Sequence, residues 1–236
     1  MISLRFDCLL PERVEAVFFL IMPQKKAIFY IDGFNLYFSL KLNGWKKYYW
    51  LDVVKLCSMY LYPGHYLSKV KYFTAPVSKP PDKAQRQNTY LRALGTLQFV
   101  EIIYGKYQYN EMICFDCKRI ISVPKEKKTD VNIASHMIMD AVKSECDVQY
   151  LLTGDSDLVP PVDLIKKNYS EKQIFLVCPP QVHTVGKTLI NRMSNELIKT
   201  CDNHRYIKES NISSCILSKN IDNRYGKPIT CPDEWC

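Results

Sequence analysis

The stretch VQYLLTGDSDL, from Val148 to Leu158, decides how the rest of the chain is interpreted. It begins with a short, largely apolar run that ends in a turn at Gly154, a pattern typical of a strand buried on both faces of a sheet. Asp155 and Asp157 leave the end of this strand one residue apart. Side chains at positions i and i+2 of an extended segment point the same way, so we expect both carboxylates to face one crevice. Like charges held this close repel each other, and the pair therefore indicates a bound cation.

Composition places the chain among ordinary globular proteins. With 236 residues, 47% of them hydrophobic and 24% charged, it is long enough for one well-buried domain. The net charge of +8 fits either simple solubility or attraction to a polyanion. The ten cysteines are irregularly spaced, which favours mostly reduced thiols and a cytoplasmic location. The apolar run from Val14 to Met22 is too short to span a bilayer and has no small-residue cleavage site, so we expect no membrane association.

Apolar runs alternate with amphipathic segments along the rest of the chain. The predicted strands are 27–31, 66–75, 97–104, 148–152, 173–178 and 203–207, and the predicted helices are 34–42, 51–61, 82–94, 129–143, 158–167 and 183–193. This alternation predicts one α/β domain with a mostly parallel sheet covered on both faces. Segments 107–113 and 119–123 predict a hairpin, followed by a basic linker from Lys125 to Lys128. Thr129 is the predicted N-cap of the helix that follows this linker.

Acidic residues stand where predicted strands end or helices begin. Asp32 follows the first strand, Asp130 opens a helix, and the pair of Asp155 and Asp157 follows the stretch quoted above. In an open α/β sheet, ligands bind at the carboxyl ends of the strands, so these loops are expected to meet. Four carboxylates without a histidine or cysteine cluster favour Mg²⁺ or Mn²⁺ over zinc. Such a site best serves phosphodiester hydrolysis, in which the metal activates water and offsets negative charge.

The three segments that carry these acids resemble a known family. The segments IDGFNL at 31–36, KKTDVNIA at 127–134 and TGDSDLVP at 153–160 are similar to the three motifs of the NYN domain, in its bacterial branch. They occur in the right order and spacing, and the resemblance runs from about Ala27 to Ile207. It implies a three-layer α/β/α, PIN-like fold. It also implies a Mg²⁺- or Mn²⁺-dependent endoribonuclease that acts on single-stranded or looped RNA.

The resemblance also assigns roles to individual residues. The metal-binding and catalytic acids that it implies are Asp32, Asp130, Asp155 and Asp157. Asn35, one helical turn from Asp32, would orient a ligand water or the scissile phosphate. Thr153 and Ser156 would offer hydroxyl groups to the same site.

Each candidate also has a simpler structural explanation. Asp155 and Asp157 could be a helix cap and an exposed turn, Asp130 a charge at a helix N-terminus, and Asn35 a turn-forming side chain. For the basic residues, contact with substrate phosphates and plain solvation stay equally open, and they are Lys127, Lys128 and Arg86. The remaining acids considered are expected to be solvated, and they are Asp140, Asp147 and Asp163.

Other assignments compete with the nuclease. Cys114 and Cys117 form half of a zinc-binding pattern, but no second pair follows, which disfavours zinc there. A catalytically silent RNA-binding or regulatory protein would be expected to lack some of the acids. A nucleotide-sugar transferase would use the Asp-x-Asp pair for Mn²⁺ but would leave Asp32 and Asp130 idle. We expect an N-terminal extension at 1–21 that is dispensable, a nuclease domain at 22–210 and a C-terminal tail at 211–236; the sequence leaves homo-oligomerisation open.

Overall fold

A computed structural model describes residues 24–113, 115, 118–181, 194–222 and 226–236, with the backbone alone at 109, 110 and 121–125. The predicted N-terminal extension at 1–21, the Cys114 and Cys117 pair and the helix predicted at 183–193 lie outside the described residues.

The described chain alternates strands and helices. The strands are β1 (Lys25–Asp32), β2 (His65–Thr74), β3 (Val100–Tyr104), β4 (Lys106–Ile113), β5 (Ile120–Lys127), β6 (Val148–Leu152), β7 (Gln173–Cys178), β8 (Asn203–Tyr206), β9 (Asn220–Ile221) and β10 (Ile229–Thr230). The helices are α1 (Gly33–Leu42), α2 (Val53–Tyr60), α3 (Pro81–Leu94), α4 (Thr129–Val142), α5 (Val159–Asn168), α6 (Asn195–Thr200) and α7 (Glu209–Ile212), with 3₁₀ turns at Lys46–Tyr48 and Ser156–Leu158.

Six of these strands form a central sheet in the order β3-β2-β1-β6-β7-β8, and all neighbouring pairs are parallel. The order reverses between β1 and β6, which lie side by side in the middle. Both strands are buried on both faces over most of their length, which explains their nearly continuous apolar sequences. Their carboxyl ends therefore open at the topological switch point, where α/β proteins bind ligands.

Helices cover both faces of the sheet. One core includes side chains from α1, α2, α3 and α7, and the other includes side chains from α4, α5 and α6. The predicted three-layer α/β/α fold with a parallel central sheet is confirmed. No described helix has the length and apolar content needed to cross a membrane.

The hairpin formed by β4 and β5 lies apart from the central sheet. The two strands pair antiparallel from Lys106 opposite Lys127 to Ile113 opposite Ile120. The prediction of a hairpin is confirmed, but the prediction of a basic linker after it is wrong. Cross-strand pairing, which local composition does not reveal, extends β5 through those lysines. Lys128, with φ of 74°, rather than Thr129 is the residue before α4.

Asp140 on α4 is another departure from the prediction. It is buried rather than solvated, and it accepts hydrogen bonds of 2.6 Å from the Tyr30 hydroxyl and from Lys71 Nζ. The strands of the sheet supply both partners, so the helix turns this acid toward them. Because Lys71 comes from a distant part of the chain, the helix sequence alone did not indicate the pairing.

The segment after residue 211 packs against the first of the two cores. Leu217 N donates to the Trp50 carbonyl at 3.0 Å, and Trp50 Nε1 donates to the Ser218 carbonyl at 2.9 Å. Cys231 and Cys236 form a disulfide. The free cysteines among the described residues are all buried, and they are Cys57, Cys146, Cys178, Cys201 and Cys215.

Candidate metal centre

The candidate site lies at the carboxyl ends of β1 and β6. A cavity of about 200 Å³ opens there, and we call it the acidic cavity. It is lined by Asp32, Phe34, Asn35, Phe38, Glu126, Lys127, Thr129, Asp130 and Asp155. Since β1 and β6 are adjacent in the sheet, the motifs at 31–36 and 153–160 meet here although they are far apart in sequence.

Asp32 and Asn35 join these two motifs. Asp32 caps α1 by accepting a hydrogen bond from Asn35 N at 2.9 Å, and its other carboxylate oxygen accepts one from Thr153 Oγ1 at 3.2 Å. Asn35 Oδ1 accepts a hydrogen bond from Gly154 N at 3.1 Å. This hydrogen bond joins the first turn of α1 to the loop after β6, and it therefore holds the ends of β1 and β6 together.

Asp130, Asp155 and Asp157 form the tightest acidic cluster among the described residues. Each offers one carboxylate oxygen, and these oxygens all lie within 4.8 Å of one another. Asp155 is the extended residue before a 3₁₀ turn and accepts a hydrogen bond from Asp157 N at 3.0 Å. The two acids are thus brought together by the turn and not by strand alternation. Asp130 approaches from the first turn of α4.

Glu126 is an acid of this site that sequence reasoning missed. It lines the acidic cavity from the end of β5 and accepts a short hydrogen bond from Thr129 Oγ1. Its position among lysines suggested a solvated linker. Only the pairing of β4 with β5, which places Glu126 opposite Tyr107, shows that this residue belongs to a strand that borders the site.

Burial and mutual repulsion raise the pKa values of the acids at this site. Burial raises the pKa of Asp32 to about 6, and the charges of Asp130 and Asp155 add to the rise, while hydrogen bonds from Asn35 and Thr153 oppose it. The pKa of Asp130 is raised by burial and by the charges of Asp155 and Asp157.

The pKa of Glu126 is raised to about 7, first by burial and then by the charges of Asp32 and Asp130, against the hydrogen bond from Thr129. Two acids of the cavity therefore change protonation near neutral pH.

The other predicted substrate-binding residues are placed differently. Lys127 is exposed and lines the acidic cavity, and Lys128 is an exposed neighbour in the chain. Ser156 is exposed in the 3₁₀ turn, and Thr153 is buried. Arg86 lies in a neighbouring cavity, where it forms ion pairs of 2.7 Å with Asp82 and Glu234. Arg86 is therefore not among the residues that line the acidic cavity.

The donor set fits a hard divalent cation. Three carboxylate oxygens converge, and a fourth acid, Asp32, lines the same cavity as Asp130 and Asp155. No compensating histidine or cysteine belongs to the cluster as far as the described residues show. Mg²⁺ and Mn²⁺ accept all-oxygen ligand sets of this kind. The residues that would hold such an ion are Asp130, Asp155 and Asp157, with Asp32 beside them.

The chain is thus a parallel α/β/α sandwich with clustered carboxylates at its switch point that could hold a divalent cation. The model of the NYN domain family matches residues 26–208, and the chain belongs to this family.

Two further similarities describe its relatives. The chain is 28% identical to the 6-hydroxy-3-succinoylpyridine 3-monooxygenase HspA of Pseudomonas putida (strain DSM 28022 / S16), over 242 residues that cover 87% of this chain and 74% of that protein. A crystal structure of a protein of unknown function from Vibrio parahaemolyticus RIMD 2210633 is similar with 19% identity and a TM-score of 0.49, over 83% of this chain and 98% of that one.

Proposed function

We propose that the chain is a metal-dependent endoribonuclease that hydrolyses RNA phosphodiester bonds at the acidic cavity. The observation that carries the proposal is the convergence of Asp130, Asp155 and Asp157 within 4.8 Å, next to the buried Asp32. Keeping like charges this close is unfavourable unless a cation offsets them. Membership of the NYN family supports a substrate that is a nucleic acid.

The metal ion, the acids and the lysine of the site would each contribute to hydrolysis in a different way. A bound Mg²⁺ or Mn²⁺ would supply Lewis acidity and offset negative charge on the phosphodiester. In the metal-free protein the pKa of Asp32 is raised to about 6 and that of Glu126 to about 7. A bound cation would favour the charged carboxylates, so both acids would release their protons as the ion binds. Lys127 lies at the rim of the same cavity and could contact the RNA backbone.

The first test is incubation of the purified protein with RNA or DNA of one sequence in Mn²⁺, Mg²⁺ or EDTA. We expect cleavage of RNA over DNA with either metal, none in EDTA, and products with a 5′-phosphate and a 3′-hydroxyl. RNA cleavage that persists in excess EDTA, or products with a cyclic phosphate, would contradict the proposal. RNA binding without cleavage in either metal would indicate a silent RNA-binding protein instead.

The substitution Asp157→Asn separates the site from the scaffold. We expect RNA cleavage to fall by about a hundredfold or more, because an amide is a poorer ligand for a hard cation. In EDTA its melting temperature should equal or exceed that of the parent, since one of the clustered charges is removed. Asp163→Asn, at an exposed position on α5, is the matched control and should leave cleavage unchanged. Unfolding of Asp157→Asn in EDTA would show that this residue is a structural cap.

Similarity to HspA suggests a second candidate function, which is hydroxylation of a small heteroaromatic acid. The relative's name states a monooxygenase activity on 6-hydroxy-3-succinoylpyridine. Consumption of O₂ with that compound and a reduced nicotinamide cofactor would support this candidate. We favour the nuclease, because the clustered carboxylates suit a hard divalent cation and phosphodiester chemistry.

A further inference from the structure

A second cavity of about 490 Å³ adjoins the acidic cavity, and we call it the aromatic cavity. Phe34 and Phe38 of α1 line both cavities, so the two are neighbours that share these rings. The other walls come from α3, from the chain around Tyr49 and from the C-terminal residues Glu234 and Trp235. Its volume lies within the range of sites that bind small organic molecules or single groups of a larger ligand, roughly 300–1,000 Å³.

Aromatic rings form a connected surface in this cavity. The ring of Tyr49 lies 5.0 Å from that of Tyr37 and 5.6 Å from that of Trp235, which in turn lies 6.3 Å from Tyr90. Tyr37, Tyr49 and Trp235 are only partly buried, unlike the neighbouring Trp50, which is 0% exposed in the core. Partly exposed rings that line a cavity can stack on a planar group.

Basic side chains surround the same cavity. Lys41, Lys46 and Lys83 are exposed and line it, and no ion pair found among the described residues engages any of the three. Arg86 differs from them, because its guanidinium bridges Asp82 on α3 and Glu234 near the C-terminus. The lysines therefore offer charge to an anion, whereas Arg86 holds the C-terminal wall in place.

We propose that the aromatic cavity holds one or two unpaired nucleotides of the RNA strand next to the bond that is cleaved. This inference rests on the proposed nuclease function. Bases would stack on Tyr49 and Trp235, and the phosphates would contact Lys46 and Lys83. Because Phe34 and Phe38 line both cavities, a strand bound in the aromatic cavity would run past these rings to reach the acidic cavity. A duplex cannot splay its bases into such a cavity, so the substrate is single-stranded at this point.

The inference makes the C-terminal segment part of the substrate site. Trp235 would be a binding residue, and Arg86 a positioning residue that acts through Glu234. Stacking and phosphate contact are both independent of base identity, so the cavity would select for unpaired strands more than for sequence.

The test measures binding of fluorescently labelled hexauridylate in EDTA, where no metal-dependent cleavage occurs. Tyr49→Ala and Trp235→Ala should each weaken binding about tenfold. Lys46→Ala and Lys83→Ala should each weaken binding and reduce the log–log slope of affinity against salt by about 0.7, because one RNA phosphate is then no longer neutralised. Lys167→Ala, an exposed lysine of α5 on the opposite face of the sheet, is the control and should change neither.

Trp235→Phe guards against misfolding, because it should retain most of the affinity and the parent's melting temperature. Unchanged affinity in Tyr49→Ala, Trp235→Ala and Lys83→Ala would overturn the inference even if RNA is cleaved. The inference would also be overturned if nicotinate, as a free heteroaromatic acid, binds with this dependence while hexauridylate does not. Binding through these residues without cleavage in Mn²⁺ would overturn the proposed nuclease function and retain the cavity as an RNA site.

Discussion

At the scale of single residues, Asp32 shows how packing alters an acid whose position was evident from sequence. It is 5% exposed, and it accepts hydrogen bonds from Asn35 in its own motif and from Thr153 in the motif at 153–160. Burial and neighbouring charges favour its neutral form, whereas two hydrogen bonds favour the charged form. The effect of burial exceeds that of the hydrogen bonds, because the pKa of Asp32 is raised from 3.8 to about 6. The native protein without metal therefore binds a proton here more tightly than the unfolded chain does.

This shift predicts that the metal-free protein loses stability as pH rises. Between the unfolded and folded pKa values of Asp32 the native state holds more protons, so the free energy of unfolding falls across about pH 4 to 6. Glu126 extends the same trend toward pH 7. Asp32→Asn should remove the part due to Asp32, at most about 3 kcal/mol.

Urea unfolding of the parent and of Asp32→Asn in EDTA, from pH 4 to 8, measures the difference between them. The variant should become more stable relative to the parent as pH rises. A stability difference that does not vary with pH would contradict the assigned shift.

At the scale of elements, α4 is fixed to the sheet by a buried ion pair. Lys71 Nζ of β2 lies 2.6 Å from Asp140 Oδ2, and their side chains are 6% and 10% exposed. Tyr30 of β1 donates to the same carboxylate, and His136 Nδ1 lies 3.2 Å from Lys71 Nζ. Since α4 also carries Asp130, this pair helps to set where that acid lies relative to β1.

Asp140→Ala should therefore be strongly destabilising, by about 3–5 kcal/mol, because it leaves a buried lysine without its counter-ion. The double variant Lys71→Met with Asp140→Leu should recover most of that loss, since no charge is then buried. The control is Glu101→Ala, which removes the partner of Lys69 in an exposed pair at 3.2 Å and should cost no more than about 1 kcal/mol. Equal losses of unfolding free energy in Asp140→Ala and Glu101→Ala, measured in urea, would show that the buried pair stabilises the fold no more than the exposed pair does.

At the scale of the whole molecule, the C-terminal segment completes both a core and a cavity. Ile229 and Cys231 are buried against the layer formed by α1, α2 and α3, and Trp235 packs on Tyr49 and Tyr90. The segment thus belongs to the folded unit, although its sequence carries no periodic pattern.

Ending the chain after Ser218 should lower the free energy of unfolding by about 3 kcal/mol, because the burial of Ile229 and Trp235 is then absent. It should also abolish the tenfold contribution of Trp235 to hexauridylate binding. Thermal melting and the binding assay of the full chain and the shortened chain measure both effects. An unchanged melting temperature would show that the segment only rests on the surface.

The sequence by itself determined the parallel α/β/α architecture and the strand ends that carry Asp32, Asp155 and Asp157. The strand ends are local features, because an apolar run, a turn and a helix start lie within a dozen residues of one another. The architecture follows from the alternation of such units along the chain. Only the tertiary structure decided that Glu126 joins the acids and that Trp235 forms a wall of the neighbouring cavity. Each depends on contacts between segments distant in sequence, and such contacts leave no local pattern from which they could be predicted.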